Sequence, residues 1–597
     1  MSAHLLTIAV GPVQEFIAAA RRTRDLWFGS HLLSEISKAT ARAVADAGAK
    51  LIFPADGSDL SQGSDLNVAN IILAELPDAV DAKAVSDKAR DAANRRWLEG
   101  FADQVFHDFQ AVIRRDIWTA QAEDVVEFYA AWVPFTEATY PEQRRRLARL
   151  MAGRKNCRNF RPADGRDGVP KSSLDGLRET VLTEDRSVWP ARVRRKLRVR
   201  DGEQLDVVGL VKRTAEGHQP YPSVSRIAAD PWLRGVAVKQ GGRDALAALA
   251  SECEALAADD LLHRIDLERL HPDYAVFPFE GTALFRTRHH ELWEETREPR
   301  ERFAQLEVAL GEVERFAEDA GLGKQPDPYL AVLVADGDRM GEAISKLAAP
   351  EAHCAFSREL LKFANEAGRI VHEHHGVLVY SGGDDVLAFV PVDCSLDCAY
   401  ELHEAFRGTM DVALQGIEVS RPTLSVGVAI GHFLENLEDL LAYGRTAEKA
   451  AKAPNRDELA IHLYKRGGGP VTVRRQWGDG LHGRVRQYAD WFLVGVISNR
   501  TPYELSRLAD VYRDWPEPTQ AHDAMQRDAV PVIDRKRPSG ITSKMTQIRS
   551  SVQTQVQTPE DLRHLADELL IARQTAVALR QSGRQAPAAA APEEVTT

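Results

Sequence analysis

The 597-residue sequence predicts an α/β (α+β) fold with two mixed regions, a mainly helical middle segment and a helical C-terminal segment. Strand-like and helix-like stretches alternate over about residues 1–150, which predicts the first mixed region. Residues 327–465 follow the order βαββαβ with an added αβ, and this order is ferredoxin-like. Ala and Leu at short spacing, with charges on the other faces, indicate helices over much of 245–320, and residues 480–582 also have a helical pattern.

At about 100–200 residues per domain, the length corresponds to three to five domains. The changes in pattern place the boundaries as follows: a first α/β domain at 1–175, a mainly helical middle domain at 176–325, a second α/β domain at 326–470, a helical C-terminal domain at 471–585 and a disordered tail at 586–597. Both α/β regions open with a strand, a Gly-containing turn and a helix. This shared opening is compatible with two related domains.

The first region opens with a buried strand at 5–10, which Gly11 and Pro12 interrupt, and a helix that starts at Val13. The elements expected after it are a helix at about 30–47, strands at 51–54 and 68–76, a long helical region at 82–120 and a strand at 125–135.

The second region has the clearest pattern of the chain. Its expected elements are a strand at 329–335, a helix at 352–374, strands at 377–380 and 386–390, a helix at 396–415, a strand at 422–431, a helix at 437–452 and a strand at 459–463. The run Gly467-Gly468-Gly469-Pro470 is typical of a linker and ends this region.

Composition excludes several classes of protein. The net charge of −12 argues against a protein that coats nucleic acid with its whole surface. The five cysteines form no Cys-x-x-Cys pair, so we expect neither a disulfide framework nor zinc, and a reducing cytoplasm is the simplest setting. The N-terminus has no signal-peptide pattern, and no apolar run approaches the ~20 residues of a membrane span, so we expect no membrane association.

The most informative motif is the predicted hairpin tip Ser381-Gly382-Gly383-Asp384-Asp385, which has apolar strands on both sides. Paired glycines allow a tight turn and leave room for a ligand against the main chain. Adjacent carboxylates favour a hard cation such as Mg²⁺, usually shared with nucleotide phosphates. An ordinary surface turn is the alternative, because Gly and Asp are common turn residues.

A second carboxylate pair, Asp336 and Asp338, lies where the first strand of this region ends. That strand is central in a βαββ unit, so Asp336 and Asp384 are expected to become neighbours. Carboxylates from two strands can hold two metal ions, which activate a 3′-hydroxyl and neutralise a triphosphate during nucleotidyl transfer. Lys449 and Lys452 on the later helix are candidates to face the triphosphate; a solvated helix face is the alternative for each of them.

These motifs, with the strand Ser425-Val426-Gly427-Val428-Ala429, resemble in order and spacing the palm domain of nucleotide cyclases and polymerases. Other segments resemble the large subunit of type III-B (Cmr) CRISPR RNA-guided effectors, which act in antiviral defence. The segments that carry this second resemblance are Gly11 to Ile17, Arg22 to Trp27, Gly29 to Ser34, Pro170 to Gly176 and Leu205 to Arg213.

The resemblance implies two ferredoxin-like palm domains and the conversion of ATP into cyclic oligoadenylates when the complex binds target RNA. ATP would lie between the palms. Asp336, Asp384 and Asp385 would hold Mg²⁺ or Mn²⁺. Ser381, Gly382, Gly383, Gly337 and Lys452 would contact ATP. The implied partners are guide CRISPR RNA, target RNA and the backbone, small and guide-5′-end-binding subunits of a Cmr-type complex.

The sequence departs from the family pattern in two ways. Many members begin with an HD nuclease domain, whereas here the first palm pattern starts almost at Met1. The His-Asp dipeptide His107-Asp108 lacks further ligands in the sequence around it, so we do not expect DNA cleavage by this subunit. The cysteine-rich zinc ribbon of the family is also missing.

Several other features have two interpretations. The basic segments 144–161 and 192–200 could contact RNA or form interdomain surface. The vicinal pairs His289-His290 and His374-His375 make poor joint metal ligands, and Trp27, Phe28 and Trp97 are expected in the core. A catalytically silent scaffold that binds guide RNA and partner subunits remains the alternative function; a free-standing diguanylate-type cyclase fits the N-terminal and middle segments less well.

Overall fold

Two sheets with the same strand order organise the molecule. The computed structural model describes residues 3–64, 66–157, 165–200, 202–214, 221–268, 270–515, 518–534, 546, 549–550 and 554–584. In spatial order, the first sheet contains the strands Lys50–Phe53, Ile71–Leu76, Ala3–Gly11 and Glu127–Phe135, labelled β2, β3, β1 and β4. The second contains Val471–Gln476, Glu458–Leu463, Leu424–His432, Tyr329–Gly337, Val386–Val390 and Val377–Ser381, labelled β10, β9, β8, β5, β7 and β6. Numbered within each domain, four strands of both sheets follow 2-3-1-4, the ferredoxin-like order, so the predicted α/β fold is confirmed.

We call residues 3–156 the first sheet domain. Its strands are β1 (Ala3–Gly11), β2 (Lys50–Phe53), β3 (Ile71–Leu76) and β4 (Glu127–Phe135), all paired antiparallel. Its helices are α1 (Gln14–Ala18), α2 (Thr23–Asp46), α3 (Ala82–Trp97), α4 (Asp103–Phe109), α5 (Arg115–Ala122) and α6 (Tyr140–Asn156).

Two helix predictions in this domain were wrong in extent. Helix α2 begins at Thr23 rather than near residue 30, because Asp25 in its first turn is fully buried against Arg213 and so breaks the apolar periodicity that marks a helix in sequence. The expected continuous helix at 82–120 is interrupted after Phe109, where Ile113 bridges to Leu182 and the backbone leaves the helical path.

The middle segment is helical at both ends and irregular between them. Its helices are α7 (Ala191–Leu197), α8 (Val207–Thr214), α9 (Val224–Val238), α10 (Gly242–Ala258), α11 (His289–Thr296) and α12 (Ala304–Asp319). Between Ala258 and His289 only short 3₁₀ turns form, contrary to the mostly helical expectation, because Pro272 and Pro278 cannot continue a helical hydrogen-bond ladder.

We call residues 329–476 the second sheet domain. Its strands are β5 (Tyr329–Gly337), β6 (Val377–Ser381), β7 (Val386–Val390), β8 (Leu424–His432), β9 (Glu458–Leu463) and β10 (Val471–Gln476). Its helices are α13 (Met340–Ser345), α14 (Pro350–Glu373), α15 (Ser395–Ala413) and α16 (Leu437–Lys452). The sequence did not predict β10, which pairs antiparallel with β9 beyond the glycine-rich linker.

The C-terminal part contains α17 (Leu481–Leu493), α18 (Thr501–Tyr512), α19 (Pro518–Asp534) and α20 (Pro559–Gln581). Helix α20 packs against α17, α18 and β10 and reaches α9 of the middle segment. The expected disordered tail at 586–597 lies outside the described residues. No helix in the described ranges is long and apolar enough to cross a membrane.

Side-chain contacts hold the two sheet domains together. Directly between them, the Tyr140 hydroxyl and His353 Nδ1 are 2.8 Å apart, and Arg144 donates to the carbonyl of Ile344 at 2.6 Å. Lys50 on β2 also pairs with Glu351 on α14 at 3.0 Å. These contacts fix the face of α14 that looks toward the first sheet domain.

Helix α20 clamps the chain just before β5. Gln574 donates to the Asp327 carboxylate at 2.6 Å, and Gln581 accepts from the Asp327 backbone N–H at 2.8 Å. Burial raises the pKa of Asp327 from 3.8 to about 7, although the hydrogen bonds from Tyr329 and Gln574 oppose this. The residues that lead into β5, the central strand of the second sheet, are therefore held by a carboxyl group whose burial opposes its ionisation.

We predict that Asp327 makes the unfolding free energy fall as pH rises from about 4 to about 7. Over that window the folded state keeps a proton that the unfolded state loses, which costs at most about 4 kcal/mol. Asp327→Asn keeps the acceptor for Gln574 and should remove this slope, raising stability at pH 8 but not at pH 4. Denaturant melts of both proteins at the two pH values test this; equal slopes would contradict it.

Candidate functional site

Three carboxylates meet where β5 ends beside the β6–β7 hairpin. In the β5–β7 pairing Ala335 lies opposite Val386, so the next step of the register brings Asp336 opposite Asp385. Oxygen atoms of Asp336, Asp384 and Asp385 lie within 4.8 Å of one another. Asp336 and Asp384 are half-buried and Asp385 is exposed at the rim. The sequence expectation that Asp336 and Asp384 become neighbours therefore agrees with the geometry.

The turn between β6 and β7 is shaped by its glycines. Gly383 has φ of 110°, a conformation that residues with a side chain rarely adopt, and an added Cβ there would meet nothing within 4 Å. The Gly382 N–H donates to the carbonyl of Asp385 at 3.1 Å and closes the turn. Gly383 thus presents bare backbone next to the two carboxylates, whereas the Tyr380 hydroxyl covers Gly382.

Ser381 and Gly337 support the carboxylates from behind. The Ser381 hydroxyl is buried and donates to the carbonyl of Ala364 on α14 at 3.2 Å, so it anchors the hairpin to that helix. A Cβ on Gly337 would lie 2.8 Å from Cβ of Asp384, which shows how closely the end of β5 approaches the hairpin. The sequence predicts that both residues contact ATP. In the structure, Ser381 bonds Ala364 and Gly337 packs against Asp384.

The electrostatics of this cluster favour a cation. Burial, and then the charge of Asp385, raises the pKa of Asp384 to about 7. Burial and both hairpin carboxylates also raise the pKa of Tyr380. Oxygen ligands from carboxylates suit Mg²⁺ or Mn²⁺, and a bound cation would relieve the repulsion among the three groups. The residues present therefore fit a hard divalent metal.

Of the two candidate lysines, only Lys452 reaches the cluster. Its ammonium contacts the Asp336 carboxylate and lies 3.4 Å from Glu448 on the same helix. Burial and then Arg456 lower the pKa of Lys452 to about 8, while the contact with Asp336 favours the charged form. The side chain is therefore a cation at neutral pH. Lys449 is exposed on another face of α16.

Asp338 lies apart from the other carboxylates. It is buried and accepts from the hydroxyls of Thr423 at 2.9 Å and Ser425 at 2.7 Å and from the Asp457 N–H at 3.1 Å. It thus fastens β8 to the turn that precedes β9. Asp336 therefore belongs to the carboxylate cluster, whereas Asp338 has a structural role. The two side chains diverge because β5 ends at Gly337, between them.

Sequence reasoning missed Glu448. Burial, and then the charge of Asp385, raises its pKa, which places this carboxyl beside the cluster. The only signal in the sequence was its i,i+4 spacing to Lys452, which is common on exposed helices.

A cavity separates the two sheet domains next to the hairpin. It has a volume of about 840 Å³ and is lined by Trp27 and His31 of α2, by Asn67, and by Ala364 and His372 of α14. A narrow extension shares Asn67 and Ala364 and ends on Gly382 and Gly383. Trp27, expected in the core, is instead half-buried and stacks on His31 with 5.4 Å between ring centroids, whereas Phe28 and Trp97 are core residues.

The remaining histidine candidates are scattered. His107 is 83% exposed, and its nearest carboxylate partner is its neighbour Asp108 at 3.6 Å. His289 is buried against the carbonyl of Ala283, and His374 pairs with Glu401 at 2.8 Å. Within the described ranges, groups of three potential metal ligands occur at the Asp336 cluster and at His271, Asp273 and His375, and His107 belongs to neither.

The two basic segments differ in their surroundings. In 192–200, Arg195 and Arg200 pair with Glu298 and Glu295, and Arg198 is buried against the carbonyl of Asp260, so these arginines make contacts within the middle segment. In 144–161, Arg145 and Arg149 on α6 are exposed. Residues 158–161 of that segment lie outside the described residues.

The comparisons with known families agree with this geometry. The family described as Cas10/Cmr2, second palm domain, matches residues 329–460. The family described as CRISPR-associated protein Cmr2, N-terminal, matches residues 5–102. These two matches fall on the second and first sheet domains.

Similar proteins include a curated relative and chains of solved structures. The CRISPR system Cmr subunit Cmr2 of Pyrococcus furiosus is 34% identical over 170 residues, which are 24% of this chain and 19% of that protein. The chain is therefore matched to about a fifth of the length of this relative. A chain of the type III-B Cmr-beta complex in its apo state has a TM-score of 0.59 at 14% identity, over 90% of this chain and 78% of that one. A chain of the same kind of complex bound to cognate target RNA gives 0.58 at 13% identity, over 90% and 79%.

We predict that Gly337→Ala displaces the hairpin and weakens Mn²⁺ binding, because its Cβ would lie 2.9 Å from a carboxylate oxygen of Asp384. Overpacking of this kind costs about 1–3 kcal/mol, or roughly 5- to 100-fold in affinity. Mn²⁺ titration followed by electron paramagnetic resonance measures it. The matched control is Gly341→Ala on α13, where an added Cβ meets nothing within 4 Å. Equal affinities of both variants and the unaltered protein would contradict the prediction.

Proposed function

We propose that the chain is the large subunit of a cytoplasmic type III CRISPR ribonucleoprotein that makes cyclic oligoadenylates from ATP after binding target RNA, because Cas10/Cmr2 family models match residues 5–102 and 329–460. The observation that carries this proposal is the three-carboxylate cluster of Asp336, Asp384 and Asp385 at the β6–β7 hairpin of a ferredoxin-like domain. We assign the domains as a first palm at 1–175, a middle domain at 176–325, a second palm at 326–470 and a helical C-terminal domain at 471–585.

In this proposal Asp336, Asp384 and Asp385 hold Mg²⁺ or Mn²⁺. When bound, the metal would activate a 3′-hydroxyl and neutralise the charge of the triphosphate. The chain contributes the three carboxylates on two adjacent strands, and their close packing against Gly337 limits how far they can move apart. Pre-formed ligands lower the cost of organising charge during the reaction.

ATP binds between the palms. A cavity of about 840 Å³ lies within the range of 300–1,000 Å³ typical of small-molecule sites. Trp27 in its wall already stacks on both His31 and Tyr221, so a purine would extend this aromatic stack or displace one of its rings. Gly382 and Gly383 at its narrow end let the phosphates approach the hairpin backbone, while Ser381 positions that hairpin through Ala364.

Lys452 is proposed to contact the phosphates. In the structure its ammonium is held by Asp336. A metal on Asp336 would repel the ammonium, and the flexible side chain would then be free to turn toward anionic oxygens in the cavity. Positive charge aimed at the leaving group stabilises the transition state of phosphoryl and nucleotidyl transfer.

The proposed macromolecular partners are guide and target RNA and the other subunits of a Cmr-type complex. The fold match to a Cmr-beta chain bound to cognate target RNA supports this assignment. Exposed arginines of α6, such as Arg145 and Arg149, are suited to RNA phosphates. We assign no nuclease role to His107 and Asp108, because the exposed imidazole has no ligand set around it in the described structure.

We predict that Asp384→Ala with Asp385→Ala abolishes oligoadenylate synthesis by the assembled complex, with target RNA, ATP and Mg²⁺ present. Loss of two of three metal ligands removes the charge that organises the reaction, so the rate should fall by at least about 1,000-fold. Products are separated and identified by mass spectrometry. The control is His107→Ala with Asp108→Ala, which should retain full synthesis. If the unaltered complex assembles and binds ATP but makes no oligoadenylate, the result would instead support a silent scaffold.

A second prediction compares the two lysines of α16. Lys452→Ala should lower the synthesis rate by about 10- to 1,000-fold, as expected when one charged group that stabilises a transition state is lost. Lys449→Ala removes an exposed lysine three residues away on the same helix and should change the rate less than about twofold. Initial rates at saturating ATP measure both. Equal effects of the two substitutions would rule out a specific role for Lys452.

A further inference from the structure

A second group of potential metal ligands lies between the middle segment and the second sheet domain. His271 precedes the 3₁₀ turn Pro272–Val276, Asp273 lies within that turn, and His375 follows α14. One ligand atom from each residue lies within 4.8 Å of the others. The imidazole rings of His271 and His375 have centroids only 3.9 Å apart. Residues separated by about 100 positions in the sequence therefore converge on one point.

The ligand atoms have distances close to those of a tetrahedral site. The Asp273 Oδ2 atom lies 3.5 Å from Nδ1 of His271 and 3.9 Å from Nδ1 of His375. Ligands at 2.0–2.1 Å from a tetrahedral Zn²⁺ are about 3.4 Å apart. The Nδ1 atom of His271 accepts a hydrogen bond from the Asp273 N–H at 3.3 Å, so metal binding by this ring would replace that bond or use Nε2.

His375 is held in an unusual way. It adopts φ of 56°, a left-handed conformation that few residues other than Gly and Asn adopt readily. The hydroxyl of Tyr274 donates to its carbonyl at 3.0 Å and fixes the turn. Its Nδ1 atom is buried and has no hydrogen-bond partner within the described structure. A strained backbone therefore directs an unsatisfied nitrogen toward Asp273 and His271.

An ordinary ion pair does not explain the group. Asp230 lies 3.9 Å from His375 but is already bonded by Arg226 and Arg234. Two imidazoles and one half-exposed carboxylate therefore face one another.

We propose that His271, Asp273 and His375 form a Zn²⁺ site that fastens the middle segment to the second sheet domain. Two imidazole nitrogens and one carboxylate are a typical donor set for Zn²⁺, whereas the all-oxygen cluster at Asp336 suits Mg²⁺. Water or His372, whose ring centroid is 5.9 Å from that of His271, completes the coordination. His375 lies six residues before Ser381, so the metal would anchor the start of β6, the strand that leads into the Gly-Gly-Asp-Asp turn.

The test is zinc binding by the full chain, stripped with a chelator and assayed with excess Mg²⁺ to occupy oxygen-only sites. We expect about one Zn²⁺ per chain by elemental analysis, and bound Co²⁺ should give the intense visible absorption of a four-coordinate site. His375→Asn tests the site with least damage, because Asn tolerates the left-handed conformation that His375 adopts. Loss of a residue that only supports a metal ligand typically weakens binding by roughly tenfold or more. His375→Asn and His271→Ala each remove a ligand itself, so their Zn²⁺ affinity should fall by well over tenfold.

Three further variants make the result decisive. Asp273→Asn alters a half-exposed side chain and should also weaken binding, even where a histidine variant folds poorly. His374→Ala removes the adjacent imidazole, which pairs with Glu401, and should bind zinc normally. Asp384→Ala with Asp385→Ala should also retain zinc, which separates this site from the proposed catalytic metals. Absence of zinc from the unaltered chain, or equal binding by His375→Asn and the unaltered chain, would overturn the proposal.

Discussion

The mutual repulsion of three carboxylates is the constraint on which the second sheet domain depends. Asp336, Asp384 and Asp385 would separate if their strands were free, and burial makes their ionised forms costlier still. They stay together because β5 is paired on both edges, with β7 on one side and β8 on the other. Hydrogen bonds along the whole length of β5 therefore oppose a local electrostatic penalty at its end.

Parts of the structure that offset this penalty are spread over the chain. Lys452 from α16 supplies a counter-charge, and Ser381 ties the hairpin to α14. Asp338 secures β8 beside β5. Helix α14 in turn contacts the first sheet domain through Tyr140 and Lys50. The position of the carboxylates thus depends on contacts between domains as well as on the sheet that carries them.

The sequence predicted the second sheet domain well because its strands are short apolar runs bounded by glycine and charged residues. The neighbouring positions of Asp336 and Asp384 followed from strand order alone. The sequence did not reveal the start of α2, since Asp25 and Arg213 form a buried ion pair that looks like surface charge in a linear pattern. It also gave no means of separating Asp336 from Asp338, because both are aspartates that flank one glycine.

Long-range placement was the part least open to prediction. His374 and His375 were judged as a vicinal pair, and they do point to different partners, Glu401 and Asp273. What the linear pattern could not show is that His271, in a proline-rich turn about a hundred residues earlier, packs against His375. Trp27 likewise has the large apolar side chain of a core residue. Its ring lines a cavity because a gap separates the two sheet domains at this point.

The clamp of α20 on Asp327 has a consequence for how the protein is made. Gln574 and Gln581 bond a residue about 250 positions earlier in the chain. Domains tend to fold in order as they leave the ribosome, at about 5–20 residues per second. The second sheet domain, however, lacks its final hydrogen bonds until α20 has emerged. At that rate the roughly 100 residues from the end of β10 to the end of α20 take about 5–20 seconds to synthesise. During that time the second sheet domain of the nascent chain is incompletely secured, and chaperones would have the most to stabilise.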